Sequence, residues 1–215
     1  MRIKEIFLIA LFLTSSLIAQ VNFRAGMGLD FFSSPSMIDY INQSNFTEGS
    51  DLSSFSTAIN FSGEIGLNVA DDIQLALELA YKIYSYNSNI ALGKYDLEFN
   101  NISPSLITYY VFEGKGYNLK LGAGAGVRFV NVQQKLPAFV SAEKFSNLGY
   151  GFLLRSQGNT MLSENLFANI SLDICYDFNG VPKNDNRKLY NNVLKEDVNF
   201  NQLIFGIKLG LYYKF

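Results

Sequence analysis

The 215-residue chain carries 17 Lys and Arg against 19 Asp and Glu, a formal charge of −2, with no His, no Trp and a single Cys. That balance gives no basic footprint for nucleic acid, and one thiol cannot form an internal disulfide. The length suits a single domain, and 19 Phe, 13 Tyr and 17 Gly point to strands rather than helices.

At the start, Arg2 and Lys4 precede an apolar run from Ile6 to Leu13, and Thr14 to Gln20 follows with small residues. This is the order of a secretory leader. Residues 1–20 are therefore predicted to be a signal peptide cleaved near Ala19 or Gln20, with residues 21–215 forming the mature domain. The apolar run is too short to span a bilayer, and nothing after it approaches eighteen uninterrupted apolar residues, which excludes a helical span. No Cys follows it, so lipid attachment at the cleavage site is not indicated. Losing Arg2, Lys4 and Glu5 leaves 15 basic against 18 acidic residues, a charge of −3.

Eight segments with a period of two follow. The first places Val21, Phe23, Ala25, Met27, Leu29 and Phe31 opposite Asn22, Arg24, Gly26, Gly28 and Asp30. In the loop after it, Ser34 and Pro35 start a short helix carrying Met37, Ile38 and Ile41. The second, Phe55 to Val69, sets Ile59, Phe61, Ile65 and Leu67 against Asn60, Glu64 and Asn68; Ala70 to Asp72 then makes a tight turn. The third, Ile73 to Asn87, sets Leu75, Leu77, Leu79, Tyr81 and Ile83 against Gln74, Glu78 and Lys82. In the fourth, Leu97 and Phe99 are out of phase with Ile102, Leu106, Tyr110 and Phe112, so a bulge is predicted near Asn100 and Asn101.

The fifth alternates Tyr117, Leu119, Leu121, Ala123, Ala125, Val127 and Phe129 with Asn118, Lys120, Gly122, Gly124, Gly126 and Arg128. The sixth reads as short, with Leu148, Tyr150, Phe152 and Leu154 in phase. The seventh is Leu166 to Phe178, and the eighth closes with Leu203, Phe205, Ile207, Leu209, Leu211, Tyr213 and Phe215. Long connections (Ser33 to Ser54, Ser88 to Tyr95, Val132 to Asn147, Asn179 to Asp197) alternate with shorter ones, Gly158 to Asn165 being intermediate. Outer-membrane barrels show this order, with short periplasmic turns and long outer loops. The fold class read from the sequence is therefore all-β: an eight-stranded antiparallel up-and-down transmembrane β-barrel.

A soluble barrel would show the same period with its faces reversed. The apolar phase carries roughly six large side chains per strand, too many for an eight-stranded interior. The other phase mixes glycines with Arg24, Lys82, Lys120, Arg128, Arg155 and Lys208 against Glu64, Glu78, Asp173 and Asp177, which suits a crowded lumen where charges must pair. Aromatic residues recur near strand ends, as interfacial girdles require. These features place the apolar phase outward.

With its alternating strands and terminal Leu209, Leu211, Tyr213 and Phe215, the mature chain resembles the small outer-membrane barrel families: the OmpA transmembrane domain, OmpX and OmpW, and most closely the OmpW-like or PorT-like barrels of Bacteroidetes type. The resemblance implies a bacterial outer-membrane location. It also implies that those four residues serve as the C-terminal signal read by the barrel-assembly machinery. The chain lacks the further domain of full-length OmpA, so peptidoglycan binding is not implied.

With no His, the proteases and acyl-chain hydrolases built on such barrels lack their usual base, and no enzyme activity or cofactor is expected. Cys175 has no His partner and falls in the lumenal phase. Gly122, Gly124 and Gly126 sit inside a strand, not at the strand-to-helix turn of a phosphate loop. Asp71 and Asp72, like Asn184 to Asn186, lack the spacing of a calcium loop. Arg24, Glu64, Glu78, Lys82, Lys120, Arg128, Asp173 and Lys208 are predicted to form a salt-bridged plug, since open porins use about sixteen strands or more.

Three functions remain open: a surface-interaction barrel with Tyr40, Phe46, Phe139, Phe145 and Tyr190 as loop contacts, an OmpW-like transporter or narrow channel for small molecules, apolar ones included, or a PorT-like secretion accessory. The expected partners are outer-membrane lipid, the assembly machinery during biogenesis, and an extracellular or envelope protein.

Overall fold

The computed structural model describes residues 21–215 apart from 45, 48, 92, 138 and 140; the expected leader lies outside the described residues. Eight strands close into one antiparallel barrel: β1 (Val21–Ser33), β2 (Ser56–Ala70), β3 (Ile73–Ile90), β4 (Gly93–Gly114), β5 (Tyr117–Lys135), β6 (Glu143–Met161), β7 (Leu166–Phe178) and β8 (Gln202–Lys214). Each pairs with its sequence neighbours, and β1 closes on β8 from Asn22↔Lys214 to Ser33↔Leu203. Closure leaves no edge within this ring, so the pairing that a single open sheet would lack at its two ends is supplied internally.

Alternation sets the faces. Along β8, Leu209 is 63% exposed while Lys208, one residue away, is 2% exposed. Large apolar side chains cover the outside of all eight strands, among them Leu77, Leu106, Leu154 and Leu172. The inside holds Arg24, Glu64, Glu78, Lys120, Arg155 and Asp173, all buried.

The strands differ in length, and this shapes the molecule. β1, β7 and β8 have 13 residues, whereas β3 has 18, β4 has 22, and β5 and β6 have 19 each. The four longer strands rise as a wall above the rest at the end opposite the two termini. Two connections predicted to be long loops are consequently short. β3 runs on to Ile90 and β4 restarts at Gly93, and the β5–β6 ladder extends to Gln134↔Glu143. β6, which reads as short in the sequence, continues to Met161. In the wall the outward residues are polar (Ser85, Asn87, Asn89, Glu98, Asn131, Lys144), so hydropathy there imitates a loop.

No bulge occurs at Asn100 and Asn101. β4 keeps one register with β3 throughout. Its pairing with β5 lapses only at Ser103 and Pro104, then resumes in the same register at Ser105↔Gly126. Pro104 has no N–H to offer the ladder. Leu97 and Phe99 are out of phase with Ile102 and Leu106 because they point inward, each fully buried. The interior itself turns from polar to apolar near the wall.

Glycine allows one close approach at this irregularity. A Cβ on Gly126 would lie 2.1 Å from the Pro104 carbonyl oxygen. Gly126→Val is therefore expected to destabilise the barrel by at least the ~1–3 kcal/mol of an overpacked core. This should appear as a lower urea midpoint for the protein folded on lipid vesicles, with Gly63→Ala, where a Cβ meets nothing within 4 Å, as the matched control.

Candidate functional site

Register brings the lumenal charges together. Glu64 of β2 and Glu78 of β3 are direct cross-strand partners, an arrangement that repels unless cations intervene. Two do. Arg24, partner of Glu64 on the other side, donates from Nη2 to Glu78 Oε2 at 2.5 Å, with its Nε 3.5 Å from Glu64. Arg155 of β6 reaches across the lumen, 3.1 Å from Glu64 Oε2 and 3.0 Å from Glu78 Oε1, and binds its strand neighbour Asp173 through two parallel bonds of 2.6 and 2.8 Å. Lys208 of β8 completes the group 2.9 Å from Asp173. Arg24, Arg155 and Lys208 thus face Glu64, Glu78 and Asp173, and the charges cancel. Tyr109 donates its hydroxyl to Glu64 at 2.7 Å and accepts from Gln157 at 2.9 Å.

A second balanced group lies nearer the wall. Arg128 binds Asp177 at 2.6 Å, and Lys82 lies 3.6 Å from both Asp177 and Asp30. Asn60 donates to Asp30 at 2.7 Å, and Arg128 to Ser105 at 3.1 Å. An internal cavity of about 30 Å³ separates the two groups, room for about one or two waters. Lys120 stands apart. It donates to Gln74 at 2.7 Å and lies 4.1 Å from the Tyr212 ring centre, with no carboxylate at ion-pair distance among the described residues. Beside it runs a ladder of carboxamides, Asn169 to Asn159 to Asn118.

Of the eight charges predicted to form the plug, seven therefore meet a partner of opposite sign within these two groups, and Lys120 is held by an amide and an aromatic face instead. The predicted set lacks Asp30, Arg155 and Asp177. Arg155 is the residue with the most carboxylate contacts; the sequence places it in the lumenal phase of the sixth segment but outside the predicted plug set. Its alternation with Leu153 and Gln157 in the inward phase is the signal that identifies it.

Above the charges the lumen is closed by apolar side chains. The helix α1 (Pro35–Gln43) starts after Ser34 with Pro35 in its first turn, where a missing N–H costs nothing. It turns Met37, Ile38, Tyr40 and Ile41 onto Phe32, Phe99, Val130, Phe145, Phe200 and Ile204. Phe99 stacks on Phe200 with centroids 5.8 Å apart, and Phe46 on Tyr95 at 4.1 Å. Gln134 donates to the hydroxyls of Tyr40 and Tyr95, at 2.6 and 3.2 Å. Burial raises the Tyr40 phenol above its ordinary pKa, opposed by that hydrogen bond. Tyr40 and Phe145 are buried and Phe46 is packed against the same core, so these three expected loop contacts belong to the cap; Phe139 and Tyr190 are exposed. Cys175 is inward and partly buried, at the junction of the cap with the charges.

A closed eight-stranded antiparallel barrel, apolar outside and filled with paired charge inside, is the architecture of the small outer-membrane β-barrels. Among solved structures, the chain is similar to the attachment invasion locus protein Ail of Yersinia pestis (TM-score 0.54, 12% identity, covering 91% of this chain and 98% of that one). It is also similar to Neisserial surface protein A (0.52, 15%, 91% and 97%) and to a major outer membrane protein of Thermus thermophilus (0.52, 16%, 91% and 99%). At these identities the likeness is one of fold. No protein-family profile and no curated protein sequence matches the chain.

Removing Arg155 leaves three buried carboxylates facing two cations. Arg155→Met is expected to cost about 3–5 kcal/mol, the scale for breaking a buried pair. Adding Glu78→Gln restores neutrality and should recover much of that loss. Equilibrium urea unfolding of the single and double variants measures both.

Proposed function

We propose that the chain is an outer-membrane barrel of surface-interaction type: a closed stake in the bilayer that presents its wall, α1 and the last long loop to the outside. The observation that carries this reading is the filling of the lumen, two neutral ion-pair groups under an apolar cap. In an eight-stranded barrel the interior is just wide enough for side chains, and here they occupy it. Transport through the lumen would require α1 and its aromatic partners to leave together, exposing the buried Phe32, Phe99 and Phe200. The bilayer location is supported by the apolar belt around the outside below the wall and by strands longer than the ~9–11 residues that cross a membrane. On the outer side, Phe139, Tyr190, Val193 and Leu194 are exposed apolar side chains available to a protein partner.

Four measurements check this. The exported protein should fractionate with the outer membrane, migrate differently on gels before and after boiling, and add no steady conductance to a planar bilayer. Stable single-channel openings would sink the closed-lumen reading. In the same bilayers, Leu209→Arg is expected to cost ~2–4 kcal/mol, the penalty for a lipid-facing Arg near the midplane. A barrel whose outer face met water at Leu209 would tolerate it.

A further inference from the structure

On the outer face of β3–β6, where the apolar belt ends and the polar wall begins, lies a pocket of about 360 Å³. Its lower edge is Tyr81 and Ile102, cross-strand partners in the belt. Its floor, one row toward the wall, is Asn100, Asn131 and Ser146, and its upper edge is Gln133 beside Lys144. The hollow has a simple steric origin: short polar side chains lie between the large side chains of Ile102 and Phe129 below and the long ones of Gln133 and Lys144 above.

Two features of the lining leave it free to take a ligand. None of these five polar side chains makes a hydrogen bond or ion pair with another described residue. The local charge is also positive. Lys144 is exposed and its sequence neighbour Glu143 is engaged by Arg187 at 2.8 Å, while Glu98, the cross-strand partner of Gln133, puts one carboxylate on the far rim, two strands and about 10 Å from Lys144 at ordinary strand spacing. Exposed Lys183 adds a second cation as the cross-strand partner of Ser146. A cation and amide donors above an apolar ledge match an amphiphile with an anionic head.

We propose that this pocket seats a phosphorylated lipid of the outer leaflet. Its phosphate meets Lys144 and the amides of Asn131 and Gln133, and an acyl chain lies along Ile102 and Tyr81. The inference rests on the bilayer reading above, because only there does the belt face acyl chains and the row above it face headgroups.

The test uses the detergent-purified barrel and native mass spectrometry, with bis-phosphorylated lipid A and the same lipid after phosphate removal as probes. The intact lipid should be retained and the dephosphorylated one lost. Lys144→Gln should lower retention about fivefold, the scale of one partly exposed charge-assisted contact. Lys144→Arg should keep it, Asn131→Leu should lower it by filling the floor, and Lys195→Gln, on an exposed turn, should leave it unchanged. Equal retention of both lipids, or by wild type and Lys144→Gln, overturns the proposal. Gel mobility before and after boiling, run on every variant, separates the failures. A heat-modifiable barrel that ignores the phosphate refutes the pocket alone, whereas a protein soluble without detergent refutes the membrane reading and the pocket with it.

Discussion

Arg155 holds carboxylates from three different strands, Glu64 of β2, Glu78 of β3 and Asp173 of β7, and the interior is organised around that contact. A guanidinium provides five donors in a planar fork, enough to satisfy several acceptors at once without water. The pair Glu64 and Glu78 could not lie side by side on adjacent strands without Arg155 and Arg24 between them. The constraint is geometric as well as electrostatic. Arg155 can reach Glu64 only if β6 stands across the lumen from β2, which requires the sheet to have closed with its strands in this register.

The same closure produces two environments along one axis. Toward the termini and through the middle, the interior is polar and the exterior apolar. In the wall the relation reverses, with Leu97, Phe99, Val130 and Val132 inside and Glu98, Asn131 and Gln133 outside. The upper part is thus built like a soluble protein, with α1 and the segment from Leu189 to Phe200 laid over its core. Such a cap gains from burying apolar surface away from water, while in the lower part pairing offsets the cost of taking charge out of it. A barrel that joins both is filled at two levels by unrelated forces, and the proposed display role rests on that filling.

The inversion also explains which parts of the fold were legible. Alternation located all eight strands because their middle portions keep apolar residues outward. It under-read β3 to β6 at the wall because polar residues outside and aromatic ones inside break the hydropathy phase without breaking the strand. Leu97 and Phe99 show this directly: a phase change that suggested a bulge is a change of environment along an unbroken strand. Tyr40, Phe46 and Phe145 were misplaced as contacts for the same reason, since an aromatic residue in a polar stretch looks exposed until the core that receives it is seen.

The sequence by itself determined the strand number, the outward face and the pool of charges that must share the lumen, because a period of two is a local property of the chain. The partners within that pool, the hub at Arg155, the isolation of Lys120 and the apolar cap were decided only by the tertiary structure. Each joins residues from strands far apart in sequence, and which of them meet depends on the stagger with which the sheet closes, a quantity that no single strand encodes.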